Sequence, residues 1–318
     1  MNSPRRSLFP TLLLAAALAA VACGGKEGET DAAPEKKGIL EIATSFHPAA
    51  YLAGRIAGDR ARVTCPLPAD ADPAFWAPDD ASLGSFRSAD LIVVNGAEFE
   101  KWVPTVSLPE SRIFALAASS KDAFVRYEHA FTHSHGGGGE HSHVGTDGHT
   151  WLDPVIARAG AEGLRDRLIA LDPDGAPTFR ENCAALVADL NALDAELRAL
   201  SEGEAAWWYA SHPAYNYPAK RYGWKVVNLD LDPEEVPSAE TLAAAKAKGE
   251  GHGPFRYIVW EGEPLPEVVA AVKEALGVES VVASPAEALA AEELAAGENY
   301  LAIMRRNLEV FRRVVVTR

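Results

Sequence analysis

Six histidines fall within residues 129–149: His129, His133, His135, His141, His143 and His149. The first five are spread through a stretch opened by Gly136, Gly137, Gly138 and Gly139. The sixth leads into Thr150-Trp151-Leu152-Asp153-Pro154, an apolar frame bounded by proline. Neutral imidazole is a borderline-soft ligand suited to zinc, copper and nickel. The spacing therefore predicts two kinds of metal contact. One is a His-rich loop over 129–143 with weak, changing ligation, and the other is a single fixed ligand at His149. A solvated polar loop without any ligand is the alternative for the first five.

A fixed site needs elements that bring distant residues together, and the body of the chain reads as alternating strands and helices. Strands are expected at 39–43, 61–65, 91–94 and 113–116 in the first half, with helices at 48–58, 83–88 and 154–171. The run Leu91-Ile92-Val93-Val94 is apolar throughout, as in a parallel sheet covered on both faces. The second half repeats the alternation, with strands at 207–210, 224–229, 257–260 and 280–283. Helices there are expected at 215–222, 239–248, 267–276 and 300–314. Between the halves, Phe179, Cys183, Leu186, Leu190, Leu193, Leu197 and Leu200 recur at steps of three and four, the signature of one apolar helix face. A helix of about 24 residues is roughly 36 Å long. The fold class is thus α/β. Two α/β lobes, 38–176 and 203–318, are joined by one long rigid helix at 177–202, with a site in the inter-lobe cleft.

Ligands of such sheets bind at the carboxyl ends of strands, and that rule selects candidates. His47 follows the first strand, His212 follows the strand 207–210, and Glu261 ends the strand 257–260, while His149 precedes the helix that opens at Pro154. Any one of these histidines alone reads as an ordinary core or surface residue. Together they predict convergence from both lobes. His252 lies in the turn Gly251-His252-Gly253-Pro254 and reads as solvated.

The N-terminus sets the compartment. Arg5 and Arg6 precede an apolar run at 8–22 that ends in Ala20-Val21-Ala22-Cys23-Gly24, a pattern expected of a cleaved lipoprotein signal over residues 1–22. Cys23 would then carry lipid, and 23–37, rich in Gly, Glu and Lys, would be a flexible tether. The expected location is periplasmic or cell-surface, held to the membrane through Cys23. An ordinary secretory leader is the alternative. Losing Arg5 and Arg6 with the leader takes the formal charge from −15 to −17. That makes the chain a poor candidate for nucleic acid, whose binding rests on basic residues, and favours cations near the surface. Cys65 and Cys183 remain and are expected as free, buried thiols.

Several segments resemble the substrate-binding lipoproteins of zinc and manganese ABC importers. They are the 63–78 stretch with Asp72-Pro73, then Ala89-Asp90-Leu91-Ile92-Val93-Val94-Asn95-Gly96 and Gly148-His149-Thr150-Trp151-Leu152-Asp153-Pro154. Ser211-His212-Pro213-Ala214-Tyr215, Lys220-Arg221-Tyr222-Gly223, Pro237-Ser238 and the start of the closing helix at Tyr300 follow in the family's order. The resemblance implies a monomeric, non-enzymatic protein that captures zinc, or less readily manganese, and passes it to an ABC permease. It also exposes two departures. The family has histidine where this chain has Ala74, and aspartate where it has Ser284. Only His149 and His212 carry over as ligands. Either the site is lost, or it is rebuilt with His47 in place of the missing histidine and Glu261 (Asp230 in reserve) supplying the oxygen. A metal-dependent hydrolase with an open zinc position, using Glu263 as acid or base, and a metal-free binding or adhesion protein are the other readings that stay open.

Overall fold

The computed structural model describes residues 38–316 apart from 70, 128–130, 135–139 and 144. The expected leader, the lipidation site Cys23, the tether, His129 and His135 all lie outside the described residues. The first lobe opens with β1 (Leu40–Thr44), α1 (His47–Ala57), β2 (Ala61–Thr64), α2 (Asp80–Ser88), β3 (Leu91–Val94) and β4 (Ile113–Ala115). Next come β5 (Phe131–Ser134), β6 (Glu140–His143) and α3 (Pro154–Leu171). α4 (Ala176–Ala199) links to the second lobe: β7 (Trp207–Ala210), α5 (Asn216–Tyr222), β8 (Lys225–Asn228), α6 (Ala239–Lys248), β9 (Phe255–Trp260), α7 (Pro266–Leu276), β10 (Glu279–Val282), α8 (Ala291–Ala295) and α9 (Tyr300–Val314). Among the described residues no helix is long and apolar enough to cross a membrane.

Each lobe is built on one four-stranded parallel sheet, ordered β2-β1-β3-β4 in the first and β8-β7-β9-β10 in the second. The two lobes therefore repeat one topology. In both, the chain reverses its direction of winding between the two central strands. The crevice at such a switch point is where open α/β sheets bind ligands. Here the switch points lie between the ends of β1 and β3, and between the ends of β7 and β9.

Burial on both faces explains the unbroken apolar strands. Ile42 and Val93 face a core shared by the two lobes, while Ala43, Ile92 and Val94 face a second cluster with Phe86 and Trp102. In the second lobe Trp208, Ala210 and Val259 enter the shared core, and Tyr209, Ile258 and Trp260 enter an outer one. α4 carries the predicted apolar face: Phe179, Cys183, Leu186, Leu190, Leu193 and Leu197 are all buried. It packs on α1, α3 and α9. Because the shared core runs through this helix, the lobes are held as one body.

Some boundaries differ from the sequence reading, each for a local reason. α4 ends at Ala199, and Leu200 and Ser201 close it in a turn before Gly203. α2 begins earlier than 83 because Asp79 caps it, its carboxylate accepting from Ser82 N at 2.8 Å. The region expected as a His-rich loop contains a backbone hairpin, with β5 and β6 antiparallel. α8 was not anticipated at all. Cys65 and Cys183 are free, Cys183 buried as expected and Cys65 only partly so.

Candidate metal centre

The first lobe's switch point holds the loop that carries His149. Asn95, just past β3, donates from Nδ2 to Gly148 O (2.8 Å) and accepts from Thr150 Oγ1 (2.7 Å), so its amide grips the loop on either side of His149. Asn95 is itself anchored by Glu100, a buried carboxyl that accepts from Asn95 N and Ser45 Oγ at 2.6 Å each. Beyond β3 the chain passes through three left-handed residues, Gly96, Ala97 and Glu98. Two of these carry side chains, a strained arrangement. The tight turn aims Glu98 at Thr146, whose N (3.1 Å) and Oγ1 (3.0 Å) donate to it. Gly148 is required where it stands, since a Cβ there would meet Phe99 at 2.9 Å.

His149 is buried and its ring is set by Asp147. One Asp147 oxygen accepts from His149 N at 3.0 Å and faces His149 Nδ1 at 2.7 Å. A carboxylate only accepts, so Nδ1 carries the proton and the neutral ring presents a lone pair at Nε2. Phe99 and Trp151 flank the imidazole, with centroids at 6.2 and 5.4 Å, and keep that side dry. Burial alone would lower the His149 pKa, but Asp147, Glu287 and Asp72 carry it above the ordinary value.

The second lobe answers from its own switch point. His212, one residue beyond Ser211 at the end of β7, directs Nε2 to within 3.3 Å of His149 Nε2. Its Nδ1 faces Glu261, at the end of β9, with Oε2 3.6 Å away. Each imidazole thus points Nε2 at the other; Nδ1 of His149 is hydrogen-bonded to Asp147, while Nδ1 of His212 faces Glu261 from beyond hydrogen-bond distance. Two nitrogens on one tetrahedral zinc, each at about 2.0–2.1 Å, lie about 3.3–3.4 Å apart. The observed separation fits that edge, and the donor chemistry fits a borderline cation. Burial and then Glu287, Asp72, Asp232 and Asp230 raise the Glu261 pKa well above the carboxylate range.

A third group at the pair is Glu287, which sequence reasoning missed. Its Oε2 lies 3.8 Å from His149 Nε2, with 22% of the side chain exposed. Burial pushes its pKa up to about 7, with Asp72 adding to the rise and His149 opposing it. Glu287 reaches the cleft because the loop after β10 is pinned at three carbonyls. Tyr215 Oη donates to Ala283 O, Asn307 Nδ2 to Ser284 O (2.6 Å), and Trp151 Nε1 to Pro285 O (2.7 Å). Ala286, at φ +62°, then turns the chain. An ionisable residue three places beyond Ser284 was the available signal, but its direction was not readable.

The other candidates lie as follows. His47 is the first residue of α1 and partly buried; burial lowers its pKa, and the charged neighbour that raises it is Glu293. Among the described residues no hydrogen bond or ion pair joins His47 to His149 or His212. Ala74 is buried in the shared core. Asp72, in the same loop, turns its carboxylate back onto Ala74 N (2.8 Å) while its charge acts on His149, Glu261 and Glu287. Glu263 is exposed. The backbone register of the hairpin pairs His133 with His141 and Phe131 with His143. Among the described residues no group of three or more His, Cys, Asp or Glu is placed to hold a metal ion; the residues brought together are His149 and His212, through their Nε2 atoms.

Two lobes of one topology, a stiff linking helix and paired imidazoles from facing switch points define a two-lobed metal-site protein of the solute-binding class. The chain belongs to the zinc-uptake complex component A periplasmic family, whose model matches residues 42–314. It is 32% identical over 310 residues to the zinc-binding lipoprotein AdcA of Streptococcus pneumoniae, covering 95% of this chain and 60% of that protein. It is 28% identical to the high-affinity zinc uptake system protein ZnuA of Bacillus subtilis, covering 94% and 95% of the two chains. Its fold is similar to the crystal structure of the zinc-bound ZnuA-like domain of the pneumococcal AdcA, with TM-score 0.75, 28% identity, and coverage of 88% and 100%. The chain thus spans about 60% of the length of the pneumococcal relative.

Proposed function

We propose that this chain captures a divalent transition metal, zinc foremost, in the cleft between its lobes outside the cytoplasm, and delivers it to an ABC permease. The observation that carries this reading is the pair of buried imidazoles from opposite lobes, their Nε2 atoms 3.3 Å apart. His149 and His212 would hold the ion, with Glu287 as the oxygen donor. Glu261 and Asp147 would sit behind the rings as orienting carboxylates rather than ligands. In this reading Glu287 takes the oxygen-donor role expected of Glu261, and the position expected of His47 is left without an imidazole. Cys23 would anchor the protein by lipid, and capture needs no second copy. The backbone register pairs His133 with His141 and Phe131 with His143, which brings three of the segment's histidines into one short antiparallel pair of strands. This supports a collecting role for the 129–143 segment, including His129 and His135.

The test is a zinc titration of the chain without its leader against a competing chelator. One tight site is expected, lost in His149→Ala and in His212→Ala, weakened in Glu287→Ala, and kept in His47→Ala and on deletion of 129–143. Equal binding by wild type and both His149→Ala and His212→Ala would sink the cleft site. Loss in His47→Ala with Glu287→Ala silent would transfer the third position to His47.

A further inference from the structure

We propose that Asn216 is a positioning residue for His149, acting through an Asp147 carboxylate that the two lobes share. The inference rests on the reading of His149 as a metal ligand. Asp147 is fully buried, and its two oxygens are divided between lobes. Oδ1 serves the His149 ring and backbone in the first lobe, while Oδ2 accepts from Asn216 Nδ2 in the second at 2.9 Å. The backbone carbonyl of Asp147 also crosses the cleft, accepting from Tyr217 Oη at 2.7 Å.

The Asn216 amide has one orientation compatible with its neighbours. Its Nδ2 lies between two pure acceptors, Asp147 Oδ2 and Pro213 O (3.0 Å). Its Oδ1 must therefore accept, and Asn228 Nδ2 supplies the bond at 2.7 Å. A continuous relay runs from the metal-facing ring through Asp147 and Asn216 to the end of β8. The direction in which His149 Nε2 points thus depends on the register between lobes. A shift of the second lobe that broke the Asn216 bond would free the carboxylate that sets the ring's tautomer and tilt. Outer partners of metal-bound imidazoles act in this way on affinity.

The test combines zinc titration with a chemical swap. Asn216→Leu keeps the volume and removes the donor, and should weaken zinc by about tenfold, the low end for outer partners. Asp147→Asn sets amide against amide at Asn216, or reverses the His149 tautomer, and should cost more. Asp147→Asn/Asn216→Asp restores an acceptor opposite a donor and should bind several-fold tighter than Asp147→Asn alone. In zinc-loaded, 15N-histidine-labelled protein, the His149 Nδ1 proton should exchange with solvent faster in Asn216→Leu and slow again in the swap. Wild-type zinc affinity and proton exchange in Asn216→Leu, or a swap no better than the single change, would overturn the positioning role. Equal affinities of wild type and His149→Ala would instead remove the metal reading on which it rests.

Discussion

The metal-free cleft should make the protein less stable as pH rises, and the size of the effect follows from Glu287. Its carboxyl titrates near 4.5 when exposed, and burial pushes it up to about 7 in the folded chain. Between those values the native state holds a proton that the unfolded chain has released. The unfolding free energy therefore falls with rising pH across this window. At 1.36 kcal/mol per unit the full shift corresponds to about 3 kcal/mol. The exposed part of the side chain makes that an upper bound, and about 1–3 kcal/mol is the working range. The direction is reinforced by its neighbours. His149 has a raised pKa, so its contribution is present below its unfolded value and is lost as pH rises through the folded one. Glu261, also raised by burial, acts in the same direction as Glu287.

At about 2–4 °C per kcal/mol for a chain of this size, the Glu287 part is a melting shift of roughly 2–12 °C. Melting curves in excess chelator, from pH 5.5 to 8.0, should show wild type losing stability with pH. Glu287→Gln should show a flatter dependence and a higher melting temperature at pH 8. Taking the difference between the two proteins removes the effect of the overall negative charge. Saturating zinc should reverse the slope, because the ion needs the deprotonated carboxylate and neutral rings. Parallel wild-type and Glu287→Gln curves in chelator would refute the placement of this carboxyl in the cleft.

Leu190→Ala, in the middle of the buried face of α4, should cost about 2–5 kcal/mol in urea unfolding. Since the helix core is common to both lobes, it should lower a single transition rather than split it in two. Asp153 caps α3 through Val155 N (2.9 Å) and holds Arg221 of the second lobe at 2.5 Å. Asp153→Ala should cost about 2–4 kcal/mol by thermal denaturation, against about 1 kcal/mol for Asp79→Ala at the exposed cap of α2. Gly148→Ala must displace Phe99 or the loop. Overpacking of this kind costs about 1–3 kcal/mol, and the chelator titration should show a zinc loss larger than that of Leu190→Ala.

The elements legible in the sequence were those whose signal is local. The apolar face of α4 could be read because helical periodicity is a property of neighbouring residues, and the structure buries the predicted face. The strand Leu91-Ile92-Val93-Val94 was legible because burial on both faces removes the need for polar alternation. His149 and His212 could be singled out because one stands in an apolar frame and the other at a strand end, and both positions survive in the fold. His47 satisfied the same rule, yet it opens α1, where its charged neighbour is Glu293.

The rest depended on contacts between residues far apart in the chain. Glu287 enters the cleft only because Tyr215, Trp151 and Asn307 each hold a carbonyl of its loop and Ala286 adopts a left-handed turn. No spacing in the sequence encodes that direction. The sharing of Asp147 between His149 and Asn216 likewise exists only once the lobes are docked. By itself the sequence determined the alternation of elements, the linking helix, and two of the groups that face the cleft, since hydrophobic patterning and strand-end position act at short range. Only the tertiary structure decided which carboxylate meets them and how each ring is oriented. Those choices are made by bonds between segments that approach one another only when the shared core has formed.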